Sequence, residues 1–153
     1  MWERLRRYRS LERPARGIFL RAVVLLPLIS FCLRLRGFRK TQSFLQRFLP
    51  TTNNVSSVSA IVPLELTVRM VRAAARHSVG HPTCLEESLA LWFLLRRHGI
   101  EAELRVGVRK DGERFEAHAW VEREGVAFNE PEALHEHYAA FDKALSSIPP
   151  ETR

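Results

Sequence analysis

Apolar residues recur at helical spacing through most of the first hundred positions, then switch to alternation. Residues 10–36 read as a helix, with Ser10 as N-cap and Pro14 in the tolerant first turn. Pro27 predicts a kink or division, and Gly37 predicts the stop. Thr41 is placed to cap a short helix over 42–49, whose Phe44, Leu45, Phe48 and Leu49 are apolar. Residues 50–62 are rich in Ser, Thr and Asn, the composition of a linker. Pro63 suits a first helical position; Leu64, Val68, Val71 and Ala75 follow at helical spacing, and Gly80 ends that helix. Thr83-Cys84-Leu85-Glu86 has the form of a capping box. The helix it opens runs from Leu85 to His98 and closes at Gly99. Leu89 to Leu95 are apolar without a break, which predicts a buried helix.

The period then changes. Ala102 to Arg109 alternates, with Leu104, Val106 and Val108 on one face, and Asp111-Gly112 signals a turn. Arg114 to Glu122 alternates again: Phe115, Ala117, Ala119 and Val121 share one face, His118 and Trp120 the other. Gly125 marks a second turn before a short strand over Val126 to Asn129, which completes an antiparallel meander. Glu132 to Leu145 returns to a helical pattern, and Pro149-Pro150 ends it. The expected organisation is an α+β protein. It has a helical arm over 1–50, a linker over 51–62, a folded unit over 63–146 and a disordered tail over 147–153.

Charge sharpens this division. The 153 residues carry 24 Lys and Arg against 17 Asp and Glu, a net +7. Residues 1–50 hold 12 basic and two acidic residues, and the remainder holds 12 and 15, so the arm is +10 and the rest −3. An apolar content of 46% excludes a wholly disordered chain. The longest apolar run, Ala22 to Leu33, has twelve residues, short of the roughly twenty that span a bilayer. The residues after it lack a small-residue cleavage site, which argues against a signal peptide. Two readings of residues 18–36 stay open: an amphipathic helix packed on protein, or one lying on an anionic membrane surface. Nucleic acid is not expected as a partner, because the cations are interleaved with Val and Leu and stacking aromatics are few. Two cysteines make no disulfide scaffold, so the expected compartment is the cytoplasm.

The candidate chemistry rests on Cys84 and His118. Cys84 is the first residue of its helix, where free N–H groups and the helix dipole stabilise a thiolate. The same N–H groups can donate to an oxyanion. If this helix packs on the sheet face that carries His118, the imidazole takes the thiol proton and returns it to a leaving amine. Glu130 is the preferred third member to orient the His, with Asn129 as the alternative. Cys32 sits in the apolar run and reads as packing; His77, His81 and His98 border helices and read as caps or surface residues. No metal site or cofactor is expected: His135 and His137 point to different helix faces, and no glycine-rich phosphate loop occurs.

Four stretches carry a family resemblance: Thr83-Cys84-Leu85-Glu86-Glu87-Ser88-Leu89, Leu94-Leu95-Arg96-Arg97-His98-Gly99-Ile100, Leu104-Arg105-Val106-Gly107-Val108 and Ala117-His118-Ala119-Trp120-Val121-Glu122. With Arg21 to Leu28 and Arg36 to Thr41, the chain resembles the stand-alone leader peptidases of lasso-peptide biosynthesis over roughly residues 10–130. These are transglutaminase-like cysteine proteases. The resemblance implies a papain/transglutaminase-like core in which a buried helix with Cys at its N-terminus packs on a small antiparallel sheet. It implies Cys84 as nucleophile and His118 as base, with Glu130 where the family commonly has Asp. The implied partners are a precursor leader peptide, a small leader-recognition protein and a macrolactam synthetase. The basic arm, through Arg34, Arg36, Arg39 and Lys40, is the expected partner contact. The alternative is a non-catalytic transglutaminase-like adaptor in a peptide-maturation complex.

Overall fold

The computed structural model describes residues 13–50, 64–78, 80–111, 114–129 and 138–140. Among these residues three helices, α1 (Arg13–Gln46), α2 (Leu64–His77) and α3 (Cys84–Arg97), precede strands β1 (Glu103–Asp111), β2 (Arg114–Arg123), β3 (Val126–Ala127) and β4 (Ala139–Ala140). The strands form one antiparallel sheet in the order β3-β2-β1-β4. Ser10, Pro63, the linker 51–62, Glu130 and the tail 147–153 lie outside the described residues.

α1 is long because Pro27 does not divide it; its backbone leaves helical geometry only at Gly37, with φ 73° and ψ 176°. Glycine adopts such a positive φ without the clash a Cβ would bring. Thr41 was expected to cap the next segment by accepting an N–H. Instead its buried hydroxyl donates to the Gly37 carbonyl at 2.8 Å, satisfying an acceptor at the break. α3 carries both halves of the expected box: Glu86 N–H donates to Thr83 Oγ1, and Thr83 N–H donates to Glu86 Oε2 at 2.6 Å.

The core draws on each of these three helices. Ile18, Ala22, Leu26 and Ile29 of α1 share one buried cluster with Val71 and Ala74 of α2, and with Leu89 to Leu95 of α3. Residues 13–46, set apart as an arm in the sequence reading, are therefore a layer of this core. Leu104 and Val121, paired across β1 and β2 and both at 0% exposure, bring one face of the sheet into the same cluster. Within the helix expected over Glu132 to Leu145, Ala139 and Ala140 instead form β4 and pair with Val108 and Gly107 at the outer edge of β1; residues 132–137 and 141–145 lie outside the described residues. An alanine pair satisfies either period, and local spacing does not register the open edge of a distant strand.

Candidate active site

Cys84 opens α3 and is exposed. Its turn is braced from two sides. Thr83 and Glu86 close the cap, and Glu86 is tied to α1 through the Ser30 hydroxyl and the Arg34 charge. Burial raises the Glu86 pKa; the bonds from Ser30 and Thr83 and the nearby Arg34 outweigh it and hold the carboxyl below its ordinary 4.5. The N–H groups of Cys84 and Leu85 belong to the first turn, where no helical carbonyl precedes them as acceptor. They point the positive end of a 14-residue helix toward whatever meets the sulfur.

One turn into α3, Ser88 joins the helix to the sheet. Among the described residues β3 pairs only with Glu122 and Arg123, and no strand pairs with the outer edge of β2 before them. Three groups close it. Phe128 N–H donates to the Val121 carbonyl at 2.8 Å. Asn129 Oδ1 accepts from Val121 N–H at 2.8 Å. Fully buried Ser88 donates its hydroxyl to the Ala119 carbonyl at 2.9 Å, and Asn129 Nδ2 donates to Ser88 Oγ at 2.9 Å. The helix that begins with Cys84 is thus clasped to the residue next to His118. The clasp lies four residues, about 6 Å, along α3 from Cys84.

His118 is half-buried on the opposite sheet face from Leu104 and Val121. Its ring stacks on Trp120 at a centroid distance of 6.3 Å and lies 5.2 Å from the Tyr138 ring. Trp120 donates its indole N–H to Glu122 at 2.7 Å, and Arg105 holds the other carboxylate oxygen at 3.0 Å. Gly107, opposite His118 in the ladder, makes room for this stack: a Cβ there would stand 2.9 Å from both Trp120 Cη2 and Tyr138 Cβ.

This geometry corrects how helix and histidine approach each other. The sequence reading required α3 to pack on the His118 face, but the face in the helical core is the one bearing Leu104 and Val121. The link between α3 and the His118 strand runs instead around the open edge of β2, through Ser88. Asn129, the alternative third member, directs both polar atoms of its carboxamide to this joint. The sequence reading also missed Ser88, Gly107 and Tyr138. Alternation places Glu122 on the His118 face, but only tertiary packing reveals the other three. Arg34, Arg36, Arg39 and Lys40 are exposed on or just beyond the C-terminal part of α1's first segment, and Arg36 lies 6.0 Å from the Phe44 ring centre. Among the described residues no group of three or more His, Cys, Asp or Glu could hold a metal ion.

The profile of the Transglutaminase-like superfamily matches residues 22–142. The chain belongs to the transglutaminase-like superfamily. That fold is commonly a cysteine protease. No curated protein and no solved structure matches the chain. The match begins within α1 and extends beyond β4, so in this superfamily member it covers the helical layer as well as the sheet. By length and composition α1 is also sufficient to cross a membrane.

Proposed function

We propose that this transglutaminase-like protein is a cysteine peptidase that removes the leader from a ribosomally made lasso-peptide precursor. The observation that carries the reading is the clasp. An exposed Cys84 at a capped helix N-terminus is tied, through Ser88, to the strand residue adjoining His118. Superfamily membership supports the peptidase chemistry, and the sequence resemblance supports the substrate class.

In this reading His118 takes the Cys84 thiol proton. The sulfur attacks the carbonyl at the junction of leader and core, and N–H groups at the start of α3 donate to the developing oxyanion. The C–N bond breaks as His118 gives the proton to the leaving core amine, and the leader remains as a thioester on Cys84. Water then attacks the thioester, His118 takes its proton, and the leader leaves as a carboxylic acid with the thiol restored. Asn129 is committed to the Ser88 joint, so the role of orienting His118 is assigned to the Glu130 carboxylate. A separate small protein presents the leader, and a macrolactam synthetase consumes the freed amine. The exposed cations Arg34, Arg36, Arg39 and Lys40 are the proposed recruitment surface.

Incubating the protein with a lasso precursor and its leader-binding protein, followed by mass analysis, tests the reading. The expected products are intact leader and core, with both absent for Cys84→Ala. Maturation that proceeds unchanged with Cys84→Ala would establish the adaptor alternative instead. Charge reversal at Arg34, Arg36, Arg39 and Lys40 is expected to weaken recruitment; unchanged binding removes that surface from the proposal.

A further inference from the structure

α1 is apolar on two opposite faces. Ile18, Ala22, Leu25, Leu26 and Ile29 face the core. On the other side Leu20, Val24, Leu28, Phe31 and Leu35 follow one another at spacings of four, four, three and four residues, which aligns them in a single stripe. They are exposed, with Val24 at 67%, Phe31 at 61% and Leu35 at 66%. The stripe extends about 22 Å along the helix. No side chain in it can donate or accept a hydrogen bond. Exposed cations bracket it, with Arg13 at one end and Arg34, Arg36, Arg39 and Lys40 at the other. Residues 13–50 contain eight Lys and Arg and no Asp or Glu.

From this arrangement we propose that the outer face of α1 docks the protein on an anionic lipid surface, independently of the peptidase reading. Protein interfaces of this kind carry roughly one hydrogen bond per 100–200 Å² and a polar rim of both donors and acceptors. The stripe provides hydrocarbon, and the charged residues of 13–50 that flank it are all cations, the pair that acyl chains and phosphate headgroups accept. The helix lies in the plane of the bilayer, because crossing it would strip Ile18, Ala22, Leu26 and Ile29 from α2 and α3. Phe31 and the leucines enter the headgroup boundary while the arginines extend along the surface.

Co-sedimentation of the full chain with vesicles tests this. Phosphatidylcholine vesicles containing phosphatidylglycerol are expected to carry the protein down, pure phosphatidylcholine vesicles far less, and added salt is expected to release it. The double substitution Leu28→Ser with Phe31→Ser is expected to lower vesicle affinity at least about tenfold. Helical circular dichroism and Cys84 alkylation, unchanged from the parent protein, show that this variant is folded. No binding to the anionic vesicles, equal binding to both compositions, or binding that survives the double substitution overturns the proposal. So does a result in which the substitutions break capture by a leader-binding protein while vesicles leave the parent protein in solution.

Discussion

Ser88 bears more on the site than its size suggests. Its hydroxyl donates to Ala119 and accepts from Asn129, so Ser88→Ala strands a buried carbonyl and a half-buried amide together. Leaving such groups unpaired costs about 1–3 kcal/mol, which urea unfolding will show as a lowered midpoint. In the proposed peptidase the same change loosens Cys84 from His118, so cleavage falls more steeply than stability. Ser88→Thr keeps the hydroxyl and is expected to recover part of both. Gly107 gives a second test. Gly107→Ala drives a methyl against Trp120 and Tyr138, and the expected loss is about 1–3 kcal/mol with disturbed aromatic near-ultraviolet dichroism. At this scale the sequence was half readable. Thr83 and Glu86 announce their cap through local spacing alone. Ser88, 31 residues from its acceptor Ala119, carries no such mark.

Among the elements, α3 is the one on which the site depends, and its cap is sensitive to acid. The Glu86 carboxyl has a folded-state pKa below its ordinary 4.5. Its contribution to stability is therefore full above that value and is lost as pH falls through the lower, folded one. Thermal unfolding is expected to show a decline in melting temperature below pH 4.5 that Glu86→Gln flattens, with Glu86→Gln costing about 1 kcal/mol at neutral pH. The three helices and the β1–β2 hairpin were legible because their periods are local and strong. β4 was not, because a two-residue strand exists only by virtue of the β1 edge it pairs with. The approach of α3 to the sheet was misread for a related reason. Alternation shows which residues share a face, and Leu104 with Val121 rather than His118 turned out to face the helices.

For the molecule as a whole, α1 is structural. Leu26, 1% exposed, lies in the cluster shared with α2 and α3, so Leu26→Ala is expected to cost about 2–5 kcal/mol in a single cooperative transition. An independent arm would leave the main transition unmoved. The basic excess of residues 1–50 marked out a helical arm, and the charge count alone could not show that one face of its helix was core. The proposed chemistry of the molecule rests on the pairing of Cys84 with His118. It is tested most directly by site-resolved alkylation of the intact chain with iodoacetamide at neutral pH, comparing the parent protein with His118→Ala. Cys84 is predicted to react at least about tenfold faster in the parent, with Cys32 unchanged between the two. Equal Cys84 rates in both proteins would contradict the account.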